Sequence, residues 1–148
     1  MPEYRRAVEQ LRAQGADRQR LFIGGKSMGG RVASLVADEL FAAGLIEGLI
    51  CLGYPFHPPG KPENLRTAHL EALRCPALII QGERDPFGVR AEVEGYRLSD
   101  KIEFRWAGDG DHDLGPRGGS GFTRAGNLAL AADAIAAFAG SVGAPLRS

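Results

Sequence analysis

Short apolar runs alternate along this chain with longer stretches in which apolar residues recur every three or four positions. That alternation is the mark of an α/β domain, because a buried strand is apolar throughout while a covering helix is apolar on one face. Residues 3–14 carry Tyr4, Val8 and Leu11 at helical spacing, with Pro2 suited to the first turn and Gly15 to the stop. A buried strand is predicted over Arg20–Gly24. After a glycine-rich turn, a helix runs through roughly Phe41, with Val32, Leu35, Val36 and Leu40 on one face and Gly44 as its C-terminal stop.

The second strand is predicted over Ile46–Leu52, followed by an irregular Pro/Gly-rich loop and a short helix over Leu65–Leu73. The third strand is Ala77–Gln81, with a turn and a helix around Arg90–Tyr96 after it. The fourth is Ile102–Trp106. A polar loop, Ala107–Gly121, then leads to a last helix from about Phe122, striped by Leu128, Ala131, Ile135 and Phe138. A helix followed by four β-α units predicts a three-layer sandwich around a parallel sheet. Right-handed crossovers bring all strand C-termini to one edge, where sites in open α/β sheets form.

Composition narrows the function. The 148 residues suit one domain, and 18 Lys plus Arg balance 18 Asp plus Glu. The balance argues against a nucleic-acid partner, and no run of like charge suggests a membrane anchor. The N-terminus has no apolar signal-peptide core and no run is long enough to span a bilayer, so a cytoplasmic protein is expected. The two cysteines, Cys51 and Cys75, lack metal spacing and are expected to be buried free thiols.

Chemistry concentrates in Gly25-Lys26-Ser27-Met28-Gly29, a G-x-S-x-G pentapeptide. A strand ends before it and a helix starts after it, the context that puts a serine on a strained strand-to-helix turn above the sheet edge. The flanking glycines are expected because such a turn is crowded. Met28 is the expected backbone N–H donor to an oxyanion at the helix N-terminus. The competing reading of Ser27 is a helix cap. A serine needs a base, and hydrolases built on such a turn order their groups Ser, Asp or Glu, His. Asp85 follows the third strand and His112 lies in the loop after the fourth, so both reach the edge of Ser27. Asp85 is expected to orient His112, which takes the Ser27 proton. Rival acids are Glu83, Asp109, Asp111 and Asp113.

Two other motifs fail. A phosphate loop ending in Gly25-Lys26-Ser27 requires glycine at position 20, which is Arg20. A calcium loop from Asp109 requires glycine sixth and glutamate twelfth, where Leu114 and Ser120 stand. No metal or cofactor is expected. His57 and His69 are expected to be structural or solvated, and the loop Tyr54–Pro62 to line a substrate pocket.

The strings GGKSMGGRVAS, GYPFHPPGKPENLR, LIIQGERDPFG and GDGDHDL, in that order, resemble the α/β-hydrolase-like family related to dienelactone hydrolases. That family includes small lidless bacterial proteins and a subunit of a non-specific-lethal chromatin complex. The resemblance covers Arg20 to about Ala139. It implies the triad Ser27, Asp85 and His112 and no cofactor, while the family's substrates are generally unassigned; a small-molecule substrate is expected here. It also implies that this segment corresponds to the carboxyl-terminal part of the fold. The missing earlier strands would then carry the second oxyanion donor, worth on the order of a hundredfold in rate. They would also leave the first strand's edge open to self-association. The expected function is esterase-type hydrolysis of a small ester, thioester or lactone. The alternative is an interaction module of the same fold with little or no activity.

Overall fold

The computed structural model describes residues 2–14 and 20–142. In chain order the elements are α1 (Pro2–Ala13), β1 (Phe22–Lys26), α2 (Met28–Ala42), β2 (Gly48–Leu52), β3 (Ala77–Gly82), α3 (Arg90–Val93), β4 (Ile102–Ala107) and α4 (Arg124–Ser141). The four strands form one sheet in the order β1-β2-β3-β4, every neighbouring pair parallel. Alternate strand residues face opposite ways. Ile23, Leu49, Cys51 and Ile79 meet α1 and α2 in one core. Leu78, Ile80 and Ala107 meet α4 in the other. The predicted three-layer α/β sandwich is therefore the observed architecture. Both cysteines are free and buried, and burial pushes each thiol up to about 12.

Strand limits follow backbone pairing more closely than apolarity. β1 begins and ends two residues later than its apolar run, because Gly25 and Lys26 still pair with Cys51 and Leu52. The ladder ends only where the Ser27 N–H donates to the Leu52 carbonyl at 2.8 Å. β2 begins at Gly48, two residues after the expected Ile46. The helix expected over Leu65–Leu73 is a single 3₁₀ turn, Ala68–Leu70. Tertiary bonds replace a helical ladder there: the Arg66 N–H donates to the Phe56 carbonyl, the Tyr54 hydroxyl to the Arg66 carbonyl, and the Ser99 N–H and hydroxyl to the carbonyls of Leu70 and Leu73. The helix expected around Arg90–Tyr96 stops at Val93. Gly44 follows α2 with φ of 72°, as a helix-stop glycine should. Gly15 lies outside the described residues.

Three leucines assigned to buried stripes point outward: Leu11, Leu35 and Leu128 are each about half exposed. In each case a polar neighbour takes the inward place because it bonds another segment. Arg12 donates to the Leu45 carbonyl and pairs with Glu47. Ser34 meets His69. Asn127 donates to the carbonyls of Gly108 and Leu114. Buried polar groups require such partners, and satisfying them decides which side of a helix faces in.

A pair of substitutions separates the true core from the apparent stripe. Leu40→Ala, at a residue with 0% exposure, should cost about 2–5 kcal/mol. Leu35→Gln, five positions earlier and 47% exposed, should change stability by less than about 0.5 kcal/mol. Urea unfolding of the two variants checks this, and equal losses would contradict the assignment of faces.

Candidate active site

β1 and α2 are separated by one residue. Ser27 makes the corner alone, with φ 52° and ψ −121°, a conformation that costs a non-glycine residue strain. Its side chain makes no capping bond to α2, so the helix-cap reading of this serine does not hold. The corner closes because two glycines meet: a Cβ on Gly25 would lie 2.7 Å from the Gly29 carbonyl carbon, and one on Gly30 would lie 2.7 Å from the Gly25 oxygen. The expectation that Gly29 is equally crowded is corrected, since a Cβ there would meet nothing within 4 Å. Gly30, outside the pentapeptide, supplies the second close approach. Met28 is the first residue of α2, so its N–H belongs to the turn that helices leave without internal partners.

The structure brings Ser27, His112 and Asp85 together across the C-terminal edge of the sheet. His112 Nδ1 lies 2.8 Å from Asp85 Oδ2, and His112 Nε2 lies 2.9 Å from Ser27 Oγ. An ionised carboxylate can only accept, so Nδ1 is the nitrogen placed to donate and Nε2 the one placed to accept from the serine hydroxyl. Asp85 has 0% side-chain exposure and His112 21%. The second Asp85 oxygen accepts from the Phe87 N–H at 2.8 Å, a bond that closes the turn through Pro86. Burial raises the Asp85 carboxyl above its ordinary range, against the opposing pull of His112 and the Phe87 N–H.

The rival carboxylates are engaged elsewhere. Glu83 accepts from the Asp109 N–H and pairs with Arg90. Asp109 is held well below the usual carboxylate range, first by its hydrogen bond from the Arg117 side chain. Asp111 accepts from the N–H groups of Asp113 and Gly115 within its own loop. Asp113 pairs with Lys26, which lowers its pKa. Among the described residues, no group of three or more His, Cys, Asp or Glu side chains is placed to hold a metal ion. No helix among them is long and apolar enough to cross a membrane.

Several residues that shape the site carried no signal in the sequence. Gly53, with φ 64°, passes so close to His112 that a Cβ would lie 3.2 Å from ring atoms Nδ1 and Cε1. Gln81 is fully buried and joins two loops: its Oε1 accepts from the Tyr54 N–H, and its Nε2 donates to the Tyr54 and Gly88 carbonyls. Asn127 holds the His112 loop to α4 by its two bonds. Only the strand position of Gln81, polar at the end of an apolar run, could have marked it. The loop Tyr54–Pro62 departs from its expected role as a pocket wall: Tyr54 and Phe56 are 0% exposed, so its first half is core. His57 in that loop is buried, and His69 bonds Ser34.

An alpha/beta hydrolase domain family model matches residues 1–140. The chain belongs to that family of α/β hydrolases, and membership points to hydrolysis as its general activity.

The buried acid has a thermodynamic signature. Its raised pKa means that the native state keeps this proton at pH values where the unfolded chain has lost it. Stability from Asp85 therefore falls as pH rises from the ordinary carboxylate range through the raised value. Asp85→Asn should gain in stability relative to the parent as pH rises from about 4 to about 7. Urea midpoints at the two pH values test the sign, and a parent that gains on the variant as pH rises would refute it.

Proposed function

We propose that this protein is a serine hydrolase of esterase type, acting on a small ester, thioester or lactone. The observation that carries the reading is the hydrogen-bonded chain Ser27 Oγ, His112 Nε2, His112 Nδ1, Asp85 Oδ2, at 2.9 and 2.8 Å. It is supported by the strained corner at Ser27 and by a resemblance to dienelactone-hydrolase relatives.

In this reading Ser27 Oγ attacks the carbonyl carbon while His112 Nε2 takes its proton. The imidazolium is stabilised by Asp85, whose burial keeps water from competing for the Nδ1 hydrogen. The Met28 N–H, at the positive end of α2, stabilises the tetrahedral oxyanion. Collapse expels an alkoxide or thiolate, which takes the proton from His112. Water activated by the same imidazole then releases the acid from the acyl-enzyme, and no cofactor takes part.

A second reading, an interaction module of the same fold, has one observation in its favour. The outer edge of β1 has no strand partner among the described residues. An apolar groove of about 260 Å³ runs beside it, lined by Phe22, Gly24, Ile50 and Leu52 among others. Such an edge is a template for pairing with another copy.

Two measurements distinguish these readings. A fluorophosphonate probe should label the purified chain, and Ser27→Ala should lose all labelling and at least about 10⁴-fold of any esterase turnover. A folded chain that resists the probe would put the interaction module ahead. Sedimentation velocity over a range of protein concentrations should show a concentration-dependent dimer if β1 pairs with its copy, whereas a monomer throughout would remove that role.

A further inference from the structure

His57 is 3% exposed and lies between the loop after β2 and α3. Each of its ring nitrogens faces an acceptor. Nδ1 is 2.8 Å from the Pro58 carbonyl oxygen, and Nε2 is 2.9 Å from Glu92 Oε1. A carbonyl oxygen never donates, and an ionised carboxylate only accepts, so both ties form together only when both nitrogens carry hydrogen. That state is the imidazolium.

The same residue touches the acid turn. Its backbone N–H donates to the Phe87 carbonyl at 3.1 Å. Phe87 packs its ring on His112, centroids 4.4 Å apart, and its N–H holds Asp85. Glu92 also accepts from the Val89 N–H, which fixes the start of α3 directly after that turn. The loop and the turn are thus clamped at both ends of one short segment, Asp85–Glu92.

We propose that His57 is a positioning residue: its imidazolium ties the loop after β2 to α3 and thereby holds the turn bearing Asp85 and Phe87 against His112. The role rests on the serine-hydrolase reading, and it adds an alkaline limit to that chemistry. Two carboxylates face the ring, Glu92 from α3 and Glu63 from its own loop. Burial alone would press the ring toward neutrality. The Pro58 carbonyl and the Glu92 carboxylate outweigh burial, so the net shift is upward from the ordinary histidine value. The paired Glu92 is correspondingly lowered, first by its bond to His57. With a raised pKa, the stabilisation is complete below the unfolded value and is lost as pH rises through the folded one. Above it Nε2 or Nδ1 loses its hydrogen, and one of the two ties is broken.

Two readouts test the role. Long-range ¹H–¹⁵N spectra of the ¹⁵N-labelled chain should show both His57 ring nitrogens protonated at pH 7. Glu92→Gln, a change at a partly exposed side chain, should move the His57 titration down by on the order of one pH unit. The rate of fluorophosphonate labelling of Ser27 should fall at alkaline pH in step with His57, and that fall should move down with it in Glu92→Gln. A singly protonated His57 ring at pH 7, or labelling that stays level through its titration, overturns the proposal. If the parent is never labelled, the hydrolase chemistry fails separately. The Phe87 and His112 ring resonances then decide the positioning role: movement with His57 supports it, and invariance overturns it.

Discussion

One residue joins β1 to α2, and everything at the candidate site depends on that corner. Ser27 must accept a backbone conformation with φ 52° because no spare residue is available to turn the chain. The turn is this tight only because Gly25 and Gly30 present no side chains to each other's backbone. The ladder of β1 then runs uninterrupted up to Ser27, whose N–H makes the last bond to β2. The hydroxyl is consequently fixed by the sheet beneath it, and the strain is held by the many bonds on either side.

Asp85 and His112 stand on loops, and loops alone place side chains poorly. Here they are held by polar side chains that bond backbone, two of them buried. Gln81 joins the loop after β2 to the turn after β3, Asn127 joins the His112 loop to α4, and Arg84 donates to the Asp109 carbonyl. Each is an amide or guanidinium with several donors or acceptors. Leaving the buried Gln81 or Asn127 unpaired costs about 1–3 kcal/mol, so their bonds are strongly retained. The same logic governs the helices, where Arg12, Ser34 and Asn127 take inward positions beside leucines that face out.

The two sheet edges differ in kind. β4 shows Glu103 and Arg105 to solvent, joined as an ion pair on its exposed face. Charges of this sort discourage further pairing. β1 carries two glycines and no such ion pair, and an apolar groove lies across its face and that of β2.

The alternation of apolar runs and helical stripes determined the α/β class, the number of strands and the parallel sheet, because burial on both faces leaves a pattern that each segment carries by itself, whereas the order of the strands in the sheet came from the structure. The motif Gly25–Gly29 and its flanking elements located the strand-to-helix corner for the same local reason. Positions Asp85 and His112 were legible through chain order and strand ends, although neither residue differs locally from an ordinary loop residue. Asp85 was favoured over Glu83, Asp109, Asp111 and Asp113 by its place after the penultimate strand, and the tertiary structure adds that each rival is engaged elsewhere. Only the tertiary structure decided the contacts of Gly53, Gln81, Asn127 and His57, the reduction of two helices to single turns, and the outward turn of Leu11, Leu35 and Leu128. In all of these the deciding partner lies far along the chain, and a hydrogen bond between distant segments leaves no periodicity in either of them.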